Sequence, residues 1–333
     1  MSDGPTRTGG DIAGTVAFLA TVPLLEGIPE AELAELAPVL RRRDAAAGEV
    51  LWREGDEALA MLLIVDGQVS VSLRLPGDRT LEVASVGRGE ALGEIPLLDG
   101  GQHAATTRAS EPTSLLSLSR ADFAALVSRR HPTAFALKRR IAHVACARLR
   151  LQLAALARSL GGGPAGERAG DAPEPAADLE FCEAPDSGYV RRLANFRTLD
   201  SLALWGFLTA GRFARCPPGR TLVSEGAHST ACYLTINGAV EKVIVRGGRQ
   251  IRVGLAGPGL AFGYESLIDG APSPVTAATR ERTLLWLLPQ PLFDRLFHGE
   301  DSESHVFLDV IVRDLMAALR QVFRPQARLA SSV

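Results

Sequence analysis

Residues 92–109 read L-G-E-I-P-L-L-D-G-G-Q-H-A-A-T-T-R-A, and residues 262–279 read F-G-Y-E-S-L-I-D-G-A-P-S-P-V-T-A-A-T. Each stretch has a glycine turn, a short apolar segment, an Asp-Gly turn and then a strand-like run. Backbone N–H groups at the start of a short helix converge and can bind a small anion. The pattern therefore predicts an anion-binding turn in each half of the chain, and we call these two stretches the first and second cassettes.

The two cassettes belong to a longer internal repeat. In the first half glycines stand at 48, 55, 67, 87, 93 and 100, and in the second half at 219, 226, 238, 257, 263 and 270. The offset is 171 for the first three pairs and 170 for the last three, so one residue is lost between 238 and 257. A glycine kept in register marks a backbone position that a side chain would obstruct. The repeat predicts two domains of one fold.

Short strand-like runs separated by glycine turns fill the region around each cassette. In the first half they are Met61–Val65, Val69–Leu73, Leu81–Val86 and Ser114–Ser119. Closely spaced short strands are typical of a barrel or jelly-roll, and helical periodicity precedes and follows them. We therefore predict an α+β fold that is mainly β, with two tandem antiparallel β-roll (jelly-roll) domains and flanking helices.

Composition gives the predicted domain limits. Residues 1–12 are rich in Gly, Thr and Pro and are expected to be disordered, as is the tail at 326–333. The first domain is predicted over 13–160 and the second over 189–325. Between them, 161–188 is expected to be a flexible linker, since its first part is rich in Gly, Pro and Ala and cannot bury enough apolar surface to order itself.

Overall composition narrows the class of protein. The chain has 333 residues, a formal net charge of -2 and four cysteines without C-x-x-C spacing. Charge near neutrality argues against nucleic-acid binding, and the longest apolar run is too short to span a membrane. A reduced, cytoplasmic protein is expected. The histidines lack metal-site spacing, and no nucleophile or phosphate-loop motif stands out, so we expect no enzyme activity and no cofactor.

Two helical segments carry apolar residues at 3.5-residue spacing, and we call these sets the seams. The first seam lies in the helix predicted at 133–160 and consists of Ala142, Cys146, Leu149, Leu153, Leu156 and Leu160. The second lies in the helix predicted at 303–323 and consists of Leu308, Val312, Leu315, Leu319 and Val322. Such spacing suits packing against a partner helix. It suits packing on the chain's own domain equally, so a protein partner or a homodimer through these helices remains one of two interpretations.

The repeated motifs resemble the cyclic nucleotide-binding domain of catabolite activators, cAMP-dependent kinase regulatory subunits and nucleotide-gated channels. The resemblance rests on G-E-V-L-W-R-E-G-D at 48–56, I-V-D-G-Q-V at 64–69 and L-G-E-I-P-L-L-D-G at 92–100, with G-R-T-L-V-S-E-G at 219–226, I-N-G-A-V at 236–240 and F-G-Y-E-S-L-I-D-G at 262–270 in the second half. It covers about 130 residues on each side, and it implies that each cassette corresponds to that family's phosphate-binding cassette.

The resemblance assigns roles in the first cassette. In the family the cassette Glu accepts the ribose 2′-hydroxyl and the cassette Arg contacts the cyclic phosphate. Glu94 matches the Glu, whereas His103 stands in the place of the Arg. Ala104 after the Arg position is closer to the cAMP-type pattern than to the cGMP-type. The candidate ligand-binding residues are Gly93, Glu94, Ile95, His103, Ala104 and Thr106.

The second cassette departs further from the family pattern. Tyr264 occupies the Glu position and Glu265 is displaced by one residue, which turns a side chain by about 100 degrees on a helix. Ser273 stands where the Arg belongs. Gly263, Glu265 and Ser273 are the weaker candidate set, and the pattern predicts little affinity for a nucleotide here.

The resemblance to the family, together with the departures from its cassette pattern, leads us to expect one function and to keep one alternative. We expect a non-enzymatic regulatory or adaptor protein that senses cAMP or a related cyclic nucleotide through the first domain and signals by rearrangement of the following helix. The alternative is a structural, assembly or docking module whose domains no longer bind a nucleotide.

Overall fold

A computed structural model describes residues 6–7, 11–75, 77, 79–159, 179–193, 196, 201–246 and 249–330. The chain divides into two compact units, residues 1–141 and 142–333. We describe each unit by itself.

Unit 1 is built from two antiparallel sheets and short helices. Its strands are β1 (Thr6–Arg7), β2 (Arg41–Ala45), β3 (Val50–Trp52), β4 (Ala60–Asp66), β5 (Val69–Leu75), β6 (Arg79–Val86), β7 (Ala91–Leu92), β8 (Thr106–Ala109) and β9 (Thr113–Ser119). Its helices are α1 (Ile12–Leu19), α2 (Glu30–Leu36), α3 (Glu94–Asp99), α4 (Arg120–Ser128) and the first part of α5 (Pro132–Ser159), with 3-10 turns at Pro23–Leu25 and Ala37–Val39. Among these residues the sheet orders are β1-β2-β9-β4-β7 and β3-β8-β5-β6.

The apolar core of unit 1 lies between the two sheets. Leu62 and Ile64 of β4 point inward and pack with Val69, Ala109 and Leu115. The alternate β4 residues Met61 and Leu63 are also fully buried. Because both faces of β4 are covered, its sequence is a continuous apolar run instead of an alternating one. This strand lies directly beneath the first cassette.

Unit 2 repeats the same arrangement. Its strands are β10 (Glu180–Cys182), β11 (Arg212–Cys216), β12 (Thr221–Val223), β13 (Ala231–Asn237), β14 (Val240–Arg246), β15 (Arg249–Ala256), β16 (Ala261–Phe262), β17 (Thr276–Thr279) and β18 (Thr283–Pro289). Its helices are the rest of α5, α6 (Ser187–Arg191), α7 (Ser201–Thr209), α8 (Glu265–Asp269), α9 (Gln290–His298) and α10 (Ser302–Ala330). Within the described residues the orders β10-β11-β18-β13-β16 and β12-β17-β14-β15 match those of unit 1.

The repeat is confirmed down to single backbone positions. The β5–β6 pairing shifts register between Val71 and Ser72, and the β14–β15 pairing shifts at the equivalent place, between Lys242 and Val243. Gly67 and Gly238 both have φ of +92°, and a Cβ on Gly238 would lie 2.7 Å from Thr283 Oγ1. Only glycine fits this turn, since a side chain there would be strained and would overlap the start of β18.

The unit boundaries differ from the predicted domain limits. The larger, C-terminal part of α5, from residue 142 onward, belongs to unit 2, so the division falls at residue 141 and not at 160. Part of the expected disordered N-terminus is ordered, because Thr6–Arg7 pairs with β2. Similarly β10 lies within the predicted linker and α6 begins at its end. Helix α10 continues to Ala330, since a proline removes one helical hydrogen bond and can kink a helix without ending it. The linker stretch 161–178 lies outside the described residues.

The described apolar residues of the two seams pack inside the chain. Among the described seam residues, Leu149, Leu153, Leu156, Leu308, Val312, Leu315 and Leu319 are all buried within the chain. Their apolar faces already contact the chain itself. The interpretation as packing on the chain itself therefore holds for these seam residues, because burial removes the surface that a partner would cover. A partner or homodimer contact through other faces of helices 133–160 and 303–323 stays a prediction.

Among the helices in the described ranges, none has the length and apolar content needed to cross a bilayer.

Candidate functional site

The first cassette keeps the backbone geometry that its sequence predicts. Gly93 is left-handed, with φ of +75°, and it precedes α3 directly. A Cβ on Gly93 would lie 3.0 Å from the Ala60 carbonyl oxygen of β4. The chain therefore passes so close to β4 that glycine is required, and α3 begins at the next residue with its first backbone N–H groups at this turn.

Glu94 is the first residue of α3 and only 4% exposed. A carboxylate at the start of a helix is stabilised by the helix dipole. Its position matches that of the family residue that accepts a ribose hydroxyl. The structure therefore holds the side chain with the most specific expected role inside the fold and next to Gly93.

His103 lies flat on Trp52, with ring centroids 4.0 Å apart and planes inclined by 7°. The His103 N–H donates to the Asp56 carbonyl and its own carbonyl accepts from the Gly55 N–H, both at 2.9 Å. The side chain is 6% exposed. Burial lowers the pKa of His103, and the nearby Asp56 carboxylate opposes this only in part. The imidazole is thus neutral at pH 7, so the Arg position carries a stacked ring and no positive charge.

The remaining candidates of the first cassette are placed differently. Thr106 Oγ1 accepts a hydrogen bond from the Glu54 N–H at 3.0 Å, so this hydroxyl supports the β3–β8 region. Ile95 is half-buried and Ala104 is exposed. The next cation in the sequence, Arg108, is exposed and donates to the Gly48 carbonyl at 2.7 Å. Among these side chains none supplies the missing positive charge.

The second cassette has the same backbone turn but a different interior. Gly263 has φ of +80°, and a Cβ there would lie 3.1 Å from the Ala231 carbonyl oxygen. Tyr264, at the position of Glu94, is fully buried and its hydroxyl donates to Asp314 of α10 at 2.6 Å. Burial, with the Asp314 charge, raises the pKa of Tyr264 well above its ordinary value. This position therefore holds a neutral donor that is already used inside the protein.

Aromatic rings fill the roll beneath the second cassette. Tyr233 stacks on Phe262 with centroids 5.1 Å apart, and both rings belong to the apolar core. Ser273, at the Arg position, is buried, and its hydroxyl donates to the Val275 carbonyl at 2.8 Å. Ser273 is consequently bonded within its own loop. Within the described residues, neither cassette has a cation at the position of the family's arginine.

Glu265 is buried against the helices. Its charge acts on Cys146 of α5 and on Cys232 of β13, and it adds to burial in raising the pKa of both thiols well above the ordinary value. Burial also raises the pKa of Glu265 itself. Within the described residues its Oε2 atom has no hydrogen-bond partner. The side chain thus has neighbours in α5 and β13, consistent with the one-residue displacement from the Glu position.

Sequence reasoning missed Trp52, Tyr233, Arg150 and Asp314, which each contact a cassette or the core beneath it. Trp52 could have been found, because it lies in the motif at 48–56 and the repeat offset aligns it with Val223. Asp314 and Arg150 had no such signal, since they lie in the long helices α10 and α5, outside the motifs that carry the resemblance.

Unit 2 also has a surface groove away from the second cassette. It has a volume of about 750 Å³ and is lined by residues of β10, α7 and the start of β11. The Arg212 guanidinium lies over the Phe181 ring at 3.5 Å from its centroid. On α7, Trp205 is 66% exposed and Leu202 is 80% exposed. The groove is therefore a mainly apolar surface whose lining includes one cation, Arg212, and one acid, Glu183.

Together the roll, the cassette turn and the following helix define a class of tandem β-roll domains, each built around a glycine turn and a short helix. The profile of the cyclic nucleotide-binding domain matches residues 42–130 and 213–300, just over half of the chain. The chain therefore belongs to the cyclic nucleotide-binding domain family.

Several known proteins are similar to parts of the chain. A cyclic nucleotide-gated potassium channel of Mesorhizobium japonicum is 36% identical over 36% of this chain and 32% of the channel. The cyclic AMP receptor protein of Thermus thermophilus is 34% identical over 32% of this chain and 50% of the receptor. The regulatory domain of Toxoplasma gondii PKA, crystallised with cAMP, has a TM-score of 0.34 and 19% identity over 89% of this chain and 95% of that chain. The alignments with the channel and the receptor thus span a third to a half of those proteins.

Proposed function

We propose that this chain is a non-enzymatic, cytoplasmic regulatory protein whose first domain binds cAMP or a related cyclic nucleotide weakly. The observation that supports this most directly is the preserved turn of the first cassette, with left-handed Gly93 and buried Glu94 beside it. The second cassette has no nucleotide in this proposal, because Tyr264 and Ser273 are bonded internally and Tyr233 belongs to the packed core.

The weak affinity for a cyclic nucleotide follows from the neutral His103 side chain at the position of the family's arginine. A guanidinium forms two charge-assisted hydrogen bonds to a phosphate, whereas a neutral imidazole offers at most one ordinary donor. The loss is about 2–5 kcal/mol, or roughly 30-fold to several-thousand-fold in affinity. Ligand binding would also have to accommodate or displace the His103 ring from Trp52. The first domain would therefore respond to a high ligand concentration.

The output of the first domain is proposed to be a movement of α5. Between α4 and α5, Arg130 is a non-glycine residue with φ of +54°, a conformation that costs about 1 kcal/mol and is held by its surroundings. The start of α5 is held to the N-terminal helices by His131, whose Nε2 lies 2.6 Å from Glu35, and by Arg140, which donates to the Pro23 carbonyl at 3.0 Å. A strained junction of this kind favours a second arrangement, provided that the buried Phe135, Leu137 and Ile141 of α5 stay covered.

Calorimetry with cAMP, cGMP and cyclic dinucleotides on the full chain tests the proposal. We expect one weak site for a cyclic nucleotide, lost in Glu94→Ala and unchanged in Ser273→Ala. A matched control is Glu49→Ala, which removes a half-buried carboxylate of unit 1 that pairs with Arg43. No binding by the native chain at millimolar ligand, together with none in a variant that restores the arginine, would contradict it.

The competing function is a docking module without a nucleotide. The groove beside α7 favours it, because Leu202 and Trp205 expose a large apolar area that a monomeric protein rarely keeps without use. The two functions differ in two measurements, the nucleotide response and the effect of Trp205→Ala. A docking module shows no nucleotide response but loses its partner in Trp205→Ala, whereas the nucleotide sensor is unaffected by that substitution.

A further inference from the structure

One guanidinium of α5 binds the C-terminal end of α8 in unit 2. Arg150 contacts both carboxylate oxygens of Asp269, with Nε–Oδ2 of 2.7 Å and Nη2–Oδ1 of 2.8 Å. It also donates to the Ala271 carbonyl at 3.2 Å and to the Pro272 carbonyl. A cation at this end complements the negative end of the helix dipole, and the fork geometry of arginine fits a carboxylate and adjacent carbonyls. The last turn of the cassette helix is therefore held by α5.

A carboxylate of α10 binds the N-terminal end of the same helix. Asp314 accepts a hydrogen bond from the Tyr264 hydroxyl at 2.6 Å and from the Ala261 N–H at 3.1 Å. Both Tyr264 and Asp314 are buried, so neither can exchange its partner for water without local opening. A broken bond here would leave a buried polar group unpaired, which is the costly outcome.

The two anchors lie at opposite ends of a rigid element. α8 runs from Glu265 to Asp269, so it is about 7.5 Å long at 1.5 Å per residue. Glu265, Ser266 and Ile268 on this helix are buried. A short, buried helix cannot bend between its ends, and displacement of one end displaces the other.

The equivalent helix of unit 1 is held differently. There Arg120 of α4 lies at the end of α3, since a Cβ on Gly100 would be 2.6 Å from its Nη1 atom. The repeat offset of 170 places Gln290 at the position of Arg120. In unit 2 the cation therefore comes from α5, an element outside the repeated roll, instead of from the helix that follows the roll.

We propose that the second cassette is a coupling element that joins α5 to α10, with Arg150 and Asp314 as its two anchors. The site that carries a ligand elsewhere in the family here binds two helices of its own chain. The coupling acts in the protein without any nucleotide. Its test therefore does not depend on whether the first cassette binds a nucleotide.

Hydrogen exchange of the full chain, without ligand, tests the coupling in both directions. Arg150→Ala removes the α5 anchor, and we expect amides of α8 and of α10 around Asp314 to exchange about tenfold faster. Tyr264→Phe removes one hydroxyl and retains the ring, and we expect faster exchange at α5 around Arg150. Energetic coupling is reciprocal, so both effects must occur. Arg148→Ala, on the exposed face of α5, is the matched control and should leave α8 and α10 unchanged.

Three results would overturn the proposal. The first is unchanged α10 exchange in Arg150→Ala, and the second is unchanged α5 exchange in Tyr264→Phe. The third is an equal effect of Arg148→Ala, which would mean that any loss of charge on α5 loosens unit 2. Should Arg150→Ala fail to fold, Arg150→Lys keeps one charge without the fork and must give a smaller change at the same α10 amides, while Tyr264→Phe still gives the reciprocal measurement.

Discussion

The His103 imidazole stacks on the Trp52 indole at 4.0 Å, in the position where the family carries a phosphate-binding arginine. The neutral imidazole packs against Trp52, whereas an arginine at the same position would carry a positive charge. The contact adds a stacked pair to the interior of the first roll and leaves the cassette without a cation at this position. In the proposed function, this contact is the reason that the first domain binds a nucleotide weakly.

Restoring the arginine should restore affinity. In His103→Arg the guanidinium can stack on Trp52 and face the phosphate, and we expect cAMP to bind at least about 30-fold more tightly than to the native chain. Calorimetry measures the change. Ser273→Arg is the control in the second cassette, where the bonded Tyr264 and packed Tyr233 should prevent any gain. A nucleotide affinity that is equal in native and His103→Arg chains would contradict the interpretation of the first cassette.

Acid should weaken unit 1 through His103. The folded-state pKa of His103 is lowered by burial, so its contribution to stability is complete above the unfolded pKa of about 6.5 and is lost as the pH falls toward the folded value. In His103→Phe, which keeps a stacked ring that cannot titrate, the loss below pH 6.5 should be smaller. Urea unfolding at pH 7.5 and pH 5 measures it, with Trp205 and Trp286 replaced by Phe so that Trp52 reports on unit 1. Identical pH profiles for the two chains would exclude His103 as the cause.

Unit 2 should show the opposite sign at Glu265. Burial raises the pKa of this carboxyl in the folded state, so its contribution is full below the ordinary value of about 4.3 and is lost as the pH rises through the raised value. Glu265→Gln keeps the shape without the charge and should gain stability relative to the native chain between pH 5 and pH 8. Unfolding in a Trp52→Phe background follows unit 2. The exposed Glu281→Gln serves as control, and its stability difference from the native chain should not change over this range.

Two glycines of unit 2 should differ in their tolerance of alanine. Gly219 has φ of +77° with open space at its Cβ position, whereas Gly238 has φ of +92° and a Cβ there would meet Thr283 and Arg282. Gly219→Ala carries only backbone strain, about 1 kcal/mol. Gly238→Ala should cost an additional ~1–3 kcal/mol from the overlap. Denaturant unfolding measures both free energies, and equal losses would show that the close approach of the start of β18 is unimportant.

Much of the fold could be predicted because its signals are local and repeated. The positive φ at Gly93 and at Gly263 follows from a turn that only glycine fits, and the same turn occurs twice in the sequence. The departures at His103, Tyr264 and Ser273 are equally visible, since each stands at a defined distance from a cassette glycine. What these departures do was beyond prediction, because a histidine could have faced either solvent or the tryptophan that it contacts.

The sequence by itself determined that this protein has two rolls of one family and that neither cassette has its arginine. Periodic glycines and short motifs determine this, because turns and strand pairing depend on nearby residues. Tertiary structure alone decided which groups occupy the cassettes. Arg150 meets Asp269 across 119 residues and Tyr264 meets Asp314 across 50. Such contacts form only when distant segments pack together, so no local pattern encodes them and no seam spacing could show that the helices bind their own chain.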